Sequence, residues 1–267
     1  MPDGRNAQVQ TIDRAARVLR AIASGPSEGL RLVDVTDGLG LGKATAHRLL
    51  RGLADVGFVA FSETTKRYAL GFEIYALGAA AQRFRIVDLA RPALARLAAK
   101  TRDTVYLSVR DGDHALCVDR CTGEYPIRTL TLDVGDRRPL GVGAGSLALL
   151  AFQTEADIAR ILRDDHAMRA QFDGFSSDAL GDMVRRSRAT GHAFNDGYIV
   201  SAMAAIGVPV LDPDGRAVAA LSIAAIRERM QAPRSDELVA LLSAEAEELS
   251  QLLTAGGGKT LKTEEFS

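Results

Sequence analysis

G-K-A-T-A-H-R-L-L-R-G-L-A-D-V-G-F, residues 42–58, winds two opposed surfaces onto one short helix. At about 3.6 residues per turn, Ala46, Leu49, Leu50 and Leu53 stack on one flank, and Lys43, His47, Arg48 and Arg51 on another. The first flank needs a core. The second suits phosphates and base edges.

Upstream, L-R-L-V-D-V-T-D-G-L-G-L-G (residues 30–42) predicts a helix over residues 32–39 and a tight turn at Gly40 to Gly42, which is helix-turn-helix spacing. The same residues allow a strand over 30–35, because Leu30, Leu32 and Val35 are loosely spread and no strong N-cap residue precedes them. Further back, Ile12, Ala15, Ala16, Leu19, Ile22 and Ala23 recur at helical steps until Gly25-Pro26 stops them, which predicts a supporting amphipathic helix. Downstream, G-F-V-A-F (57–61), a polar turn and Y-A-L (68–70) predict a hairpin. Three helices and a hairpin make a winged helix. In that layout the candidate DNA-contacting residues are Lys43, Thr45, His47, Arg48 and Arg51 on the recognition helix, with Lys66 and Arg67 at the wing tip.

The chain has 267 residues, 47% of them hydrophobic, enough for about two domains. Its net charge of -1 divides unevenly: residues 1–83 carry 11 Lys/Arg against 8 Asp/Glu, and residues 84–267 carry 22 against 26. A mildly basic N-terminal part is compatible with DNA, since a handful of phosphate contacts needs only a local basic face. No apolar run reaches the ~18 residues of a membrane span and no signal segment opens the chain, so a soluble cytoplasmic protein without a membrane partner is expected.

Residues 72–85 predict a helix with Ile74, Leu77, Gly78, Ala81 and Phe84 on one stripe. That stripe packs either against its own copy in a second subunit or against its own chain. The first option makes a symmetric dimer on a pseudo-palindromic operator. Beyond it the pattern is mixed: helices at 86–100, 144–152, 154–163, 177–191 and a last one capped by Ser235, with Leu238, Leu241, Leu242, Leu249 and Leu252 inward. Strands are predicted at 104–110, 114–120, 127–132, 205–211 and 217–225. Helices flanking a run of strands predict an α+β domain with an antiparallel sheet. The expected division is a winged helix-turn-helix at 9–71, a linker at 72–85, a second domain at 86–254 and a disordered tail at 255–267.

Several other features have plain readings. Cys117 and Cys121 follow His114, but strand alternation puts His114 and Cys117 on opposite faces, so no metal is expected and the thiols read as reduced and structural. R-R-S-R at 185–188 reads as a solvated helix face. G-V-G-A-G-S at 141–146 lacks the G-x-G-x-x-G spacing of a dinucleotide site, and no cofactor is expected. It is either a cradle of backbone N–H groups for a carboxylate or a turn that lets a strand meet a helix closely. The four His, at 47, 114, 166 and 192, sit in no nucleophile or metal-ligand motif, so no catalytic residue is expected. Two readings open to a chain with a winged helix are a metabolite-binding enzyme with an accessory winged helix and an architectural DNA binder that senses no ligand.

The segments K-A-T-A-H-R-L-L-R-G-L (43–53), V-G-F-V (56–59), R-Y-A-L-G (67–71), D-L-A-R-P-A-L-A-R-L-A (88–98), T-V-Y-L-S-V-R-D-G-D (104–113), V-G-D-R-R-P-L (134–140) and V-P-V-L-D-P-D-G-R-A-V-A-A-L-S (208–222), in this order, resemble the IclR-type bacterial transcription regulators. The resemblance implies a ligand-responsive repressor or activator of a catabolic operon, working as a dimer or a dimer of dimers. It also implies that the second domain is a sensor similar to GAF and PAS domains, with effector contacts at residues 141–149, at the loop of 195–205 and at the strand end of 222–224. The residues so singled out are Gly143, Gly145, Ser146, Asn195, Asp196, Ala205 and Ser222. The chain departs from the family pattern at Gly143, Ser146, Leu147, Asn195 and Ala205, which implies fewer charged partners and a roomier, more apolar cavity. An aromatic or hydroxylated carboxylic acid is the expected effector, with Ser222 and Asn195 as hydrogen-bonding groups.

Overall fold

A computed structural model describes residues 4–80, 85–164 and 166–255. The expected tail at 255–267 lies outside the described residues except for Ala255, as do Ala81 and Phe84 of the linker stripe. Two compact units divide the chain at the 84/85 junction.

In the N-terminal unit, α1 (Gly4–Ser24), α2 (Leu32–Leu39) and α3 (Lys43–Asp55) pack around one small core. The inward stripe of α1 is Ala15, Val18, Leu19 and Ile22, whereas Ile12, assigned inward from spacing, is exposed. Helix and strand readings of residues 30–39 are both correct in part. Leu30 and Arg31 form β1 (Leu30–Arg31), and α2 starts immediately after it. The missing N-cap is supplied from inside the helix, where the Asp34 carboxylate accepts the Arg31 N–H at 2.7 Å. Gly40, left-handed at φ 62°, closes α2 and aims the chain into α3. The wing is β2 (Val59–Ser62) paired antiparallel with β3 (Arg67–Leu70), and β1 adds a third strand through Leu30↔Tyr68 and Arg31↔Arg67. Helix α4 (Phe72–Ala80) follows the wing with no residue buried; Phe72, Tyr75 and Leu77 all face solvent.

The C-terminal unit opens with α5 (Arg85–Thr101) and is built on a six-stranded sheet: β4 (Thr104–Asp111), β5 (His114–Thr122), β6 (Arg137–Pro139), β7 (Ala193–Asp196), β8 (Met203–Leu211) and β9 (Ala217–Ile226). Every pairing is antiparallel, in the order β6-β5-β4-β9-β8-β7. One face is covered by α5 and α10 (Arg234–Ala255), which bring Leu94, Leu97, Leu238, Leu242 and Leu249 against Leu107, Ile206, Leu221 and Ile223. Helix α10 starts at Arg234, so Ser235 sits in its first turn and does not cap it, and Leu252 is exposed. The other face carries α6 (Ala144–Ala151), with α7 (Glu155–Asp164), the short α8 (His166–Arg169) and α9 (Ser177–Thr190) outside it.

Residues 127–132, expected as a strand, are irregular. Their carbonyls are taken by side chains in place of a strand ladder: Tyr106 Oη donates to Thr129 O, Arg138 Nη2 to Thr131 O at 2.6 Å, and Arg120 Nη1 to Leu132 O at 2.7 Å. The edge strand is instead β6. Within 185–188, Arg188 is no solvated residue: it donates to Ala151 O at 2.5 Å and Gln153 O at 2.6 Å, tying α9 to the end of α6.

All eight residues of α6 are buried, which follows from an A-G-S-L-A-L-L-A sequence that is apolar on every side. Its first turn crosses β8 at Gly207, where a Cβ would lie 2.4 Å from Ala144 O. Gly207→Ala is therefore expected to push α6 off the sheet and to lower stability by about 1–3 kcal/mol, the usual cost of overpacking, read from chemical denaturation of the full chain. An unchanged midpoint would contradict the close approach.

Candidate functional site

Helix α3 sorts its residues as its spacing demands. Ala46 and Leu50 are 0% exposed and Leu53 8%, while Lys43, His47, Arg48 and Arg51 are exposed. Thr45 is half-buried at the border. None of the four basic side chains is engaged in a hydrogen bond or ion pair among the described residues, so their donors face water. Charge held this way costs little, because no desolvation has occurred. Gly42 supplies no side-chain cap, which leaves the first-turn N–H groups of α3 open as well.

The wing residues are more engaged. Lys66, at φ 55°, pairs with Glu63 at 2.7 Å and lies 5.8 Å from the Phe61 ring. Arg67 Nη1 donates to Gly29 O at 2.6 Å, which staples the wing to the chain just before β1. The wing thus presents one mobile-length cation, Lys66, and one arginine with a structural bond.

In the C-terminal unit a cavity of about 650 Å³, mouth included, opens where α6 begins above the sheet. Gly143, Gly145, Ser146, Asn195, Ala205 and Ser222 all line it. Asn195 and Ala205 do not belong to a loop: they face each other across the β7/β8 ladder. Strand β7 went unrecognised in the sequence because A-F-N-D carries two residues depleted in strands. Asp196 is not among the lining residues; its carboxylate pairs with Arg227 at 2.6 Å. The Ser146 hydroxyl is occupied inside the loop, accepting the Gly141 N–H and donating to Pro139 O, each at 3.0 Å, so it holds the loop shut more than it offers a contact.

Buried polar groups remain. Ser108, Asn195 and Ser222 are 4%, 6% and 7% exposed, line the cavity, and their side chains have no hydrogen-bond partner among the described residues. The walls between them are apolar, with Ala115, Cys117, Val142, Ile199, Met203 and Ala224. Arg138 also lines it, a charged residue that the expectation of a cavity with fewer charged partners did not name. Burial lowers its pKa from the ordinary arginine value, with Asp136 opposing that shift. The doublet Arg137-Arg138 gave no face until β6 was recognised. Strand alternation then sends Arg137 out to Asp111 at 2.9 Å and Arg138 in.

Cys117 is 1% exposed in the cavity wall, and burial pushes its thiol up to about 12. Cys121 packs against the core on the opposite face, although four residues should keep one face; a bulge opposite Leu107/Ser108 inverts the parity. No group of His, Cys, Asp or Glu able to hold a metal occurs among the described residues. Because the thiolate is the reactive form, iodoacetamide at pH 8 is expected to label Cys117 at least about tenfold more slowly than Cys121, followed by peptide mass spectrometry. Equal rates would place Cys117 outside the cavity wall.

Known proteins match over both units. The family model described as IclR helix-turn-helix domain matches residues 11–63, and the one described as Bacterial transcriptional regulator IclR C-terminal matches residues 78–251. The chain is 30% identical over 245 residues to the HTH-type transcriptional regulator BhcR of Paracoccus denitrificans, covering 91% of this chain and 86% of that protein. It is also 30% identical over 253 residues to the Glycerol operon regulatory protein of Streptomyces coelicolor, covering 93% and 98%. Among solved structures, an IclR homolog from Microbacterium hydrocarbonoxydans complexed with 4-hydroxybenzoate superposes with a TM-score of 0.74 at 22% identity, covering 92% of this chain and 99% of that one. The Thermotoga maritima IclR gives 0.71 at 24% identity, covering 92% and 99%.

Proposed function

The chain belongs to the IclR family of transcriptional regulators, and from that premise we propose how its two units divide the work. It is a DNA-binding regulator, as its relatives are, and not an enzyme. The N-terminal unit reads duplex DNA, with α3 in the major groove: Arg48 and Arg51 reach base edges, Lys43, Thr45 and His47 contact the phosphates or bases beside them, and Lys66 meets the backbone from the wing. The observation that carries this reading is the exposed, unpaired cationic flank of α3 set against the flank that buries Ala46, Leu50 and Leu53. Arg67 contributes to the wing by holding its base.

The solvent-facing Phe72, Tyr75 and Leu77 of α4 pair with the same helix of a second copy, giving a homodimer, or a dimer of dimers, on a pseudo-palindromic operator in the cytoplasm. The C-terminal cavity takes a small organic acid. Support comes from the buried, unpartnered Ser108, Asn195 and Ser222 and from a fold neighbour complexed with 4-hydroxybenzoate. A relative named for a glycerol operon fits control of a catabolic operon. The acid alters operator affinity by binding one arrangement of the paired recognition helices more tightly than the other.

Operator duplexes selected from a random pool give the direct test. In fluorescence anisotropy, Arg48→Ala and Arg51→Ala are each expected to weaken operator binding by about 1–3 kcal/mol. Wild-type affinity in both variants would remove α3 from the groove.

A further inference from the structure

We propose that Arg138 is the charge partner of the effector: the cavity takes a monocarboxylic acid with its carboxylate on the Arg138 guanidinium and a hydrogen-bonding group at its far end on Ser108, Ser222 or Asn195. This deepens the reading of the cavity as an effector site and rests on it.

Arg138 is placed unlike four other half-buried arginines of this unit. Arg110 and Arg160 are matched by Asp113 and Asp157, and Arg229 and Arg234 by Asp103, all within ion-pair distance. Arg138 has no carboxylate within 4.0 Å among the described residues, and its one hydrogen bond, at 2.6 Å, goes to the Thr131 carbonyl. No Asp or Glu lines the cavity. Its Nη1 lies beside Gly143, 3.2 Å from where a Cβ on that glycine would stand, so the guanidinium reaches the loop at the start of α6. A partly desolvated cation with no carboxylate in ion-pair contact, and only the more distant Asp136 opposing the penalty, destabilises the empty protein, and a leucine at this inward strand position would avoid that cost. A bound anion offsets it. Arginine also remains charged when its pKa is lowered, so the guanidinium is a permanent receptor for an anion.

The rest of the cavity narrows the class. A single cation matches one negative charge, which favours a carboxylate over a doubly charged phosphate. An inorganic anion would leave the apolar wall of Val142, Met203 and Ala224 uncovered. Ser108 on β4 and Ser222 on β9 lie two and three strands in from Arg138 on β6, and strands are about 4.8 Å apart. The strand backbones are therefore roughly 10 to 14 Å apart, and once the reach of the Arg138 side chain is taken off, the gap that remains suits a small body such as an aromatic ring.

The test is thermal stability of the full chain, with benzoate and 4-hydroxybenzoate set against benzamide and 4-hydroxybenzamide, in wild type, Arg138→Leu and Arg138→Lys. The acids are expected to raise the wild-type Tm with concentration and to bind about tenfold or more tightly than the amides. Arg138→Leu is expected to abolish the acid preference without lowering the ligand-free Tm, and Arg138→Lys to restore part of it. Amides that stabilise the wild type as well as the acids would overturn the assignment and leave the effector reading standing. An Arg138→Leu variant with a lowered ligand-free Tm and an intact acid response would overturn it too, making Arg138 a strut for residues 127–132. Silence of the wild type towards acids and amides alike would overturn this assignment and the effector reading together.

Discussion

Burial of α6 on every side is the constraint from which the C-terminal unit takes its shape. A helix of eight residues with no exposed face cannot slide or turn: the sheet holds it below, α9 outside it, and Arg188 ties down its last carbonyl, that of Ala151. Leu147, Leu149 and Leu150 each contribute roughly 1.5–3 kcal/mol by leaving water, provided that the helix comes close. Close approach needs missing Cβ atoms where backbone meets backbone, and Gly207 under Ala144 and Gly145 beside the Ser222 hydroxyl supply them. The cavity is the space left where α6 starts while the sheet continues towards β6 and β7.

Charge is used in two opposite ways in this molecule. On α3 the cations stay in water, cost nothing to keep unpaired, and exchange water for phosphate with release of counterions. In the C-terminal unit most arginines are locked to carboxylates. The Arg160 guanidinium beside Asp113, and that of Arg110 beside Asp157, hold both carboxyl groups below the usual carboxylate range. That stabilisation is in place above the ordinary carboxylate pKa and is lost as pH falls through the lowered values. These networks join the β4/β5 hairpin to α7 and leave the cavity free of acidic groups.

Periodicity made the winged helix legible because α2 and α3 each carry their own apolar stripe. Where the strand reading of residues 30–35 gives way to helix was not legible, since a two-residue strand such as β1 exists only by pairing with Tyr68 and Arg67 far along the chain. The alternation T-L-T-L at 129–132 suggested a strand, but the threonines face inward and side chains take the carbonyls; Leu130 is 53% exposed. Family resemblance pointed to the glycine loop, Asn195, Ala205 and Ser222, which line one cavity, and did not point to Arg138, which lines it too. Its inward direction follows from β6, a strand of three residues whose pairing with β5 no local pattern announces. Asp196 was misread for a related reason: its partner Arg227 lies 31 residues away.

The central claim is that the cavity and the recognition helix belong to one equilibrium, so that acid and operator each bias it. Coupling of that kind is reciprocal. The measurement is the affinity of the full chain for 4-hydroxybenzoate by calorimetry, free and saturated with selected operator DNA, beside operator affinity with and without saturating 4-hydroxybenzoate. The account predicts the same factor of change in both, different from one. Acid affinity that is identical with and without bound operator would contradict it.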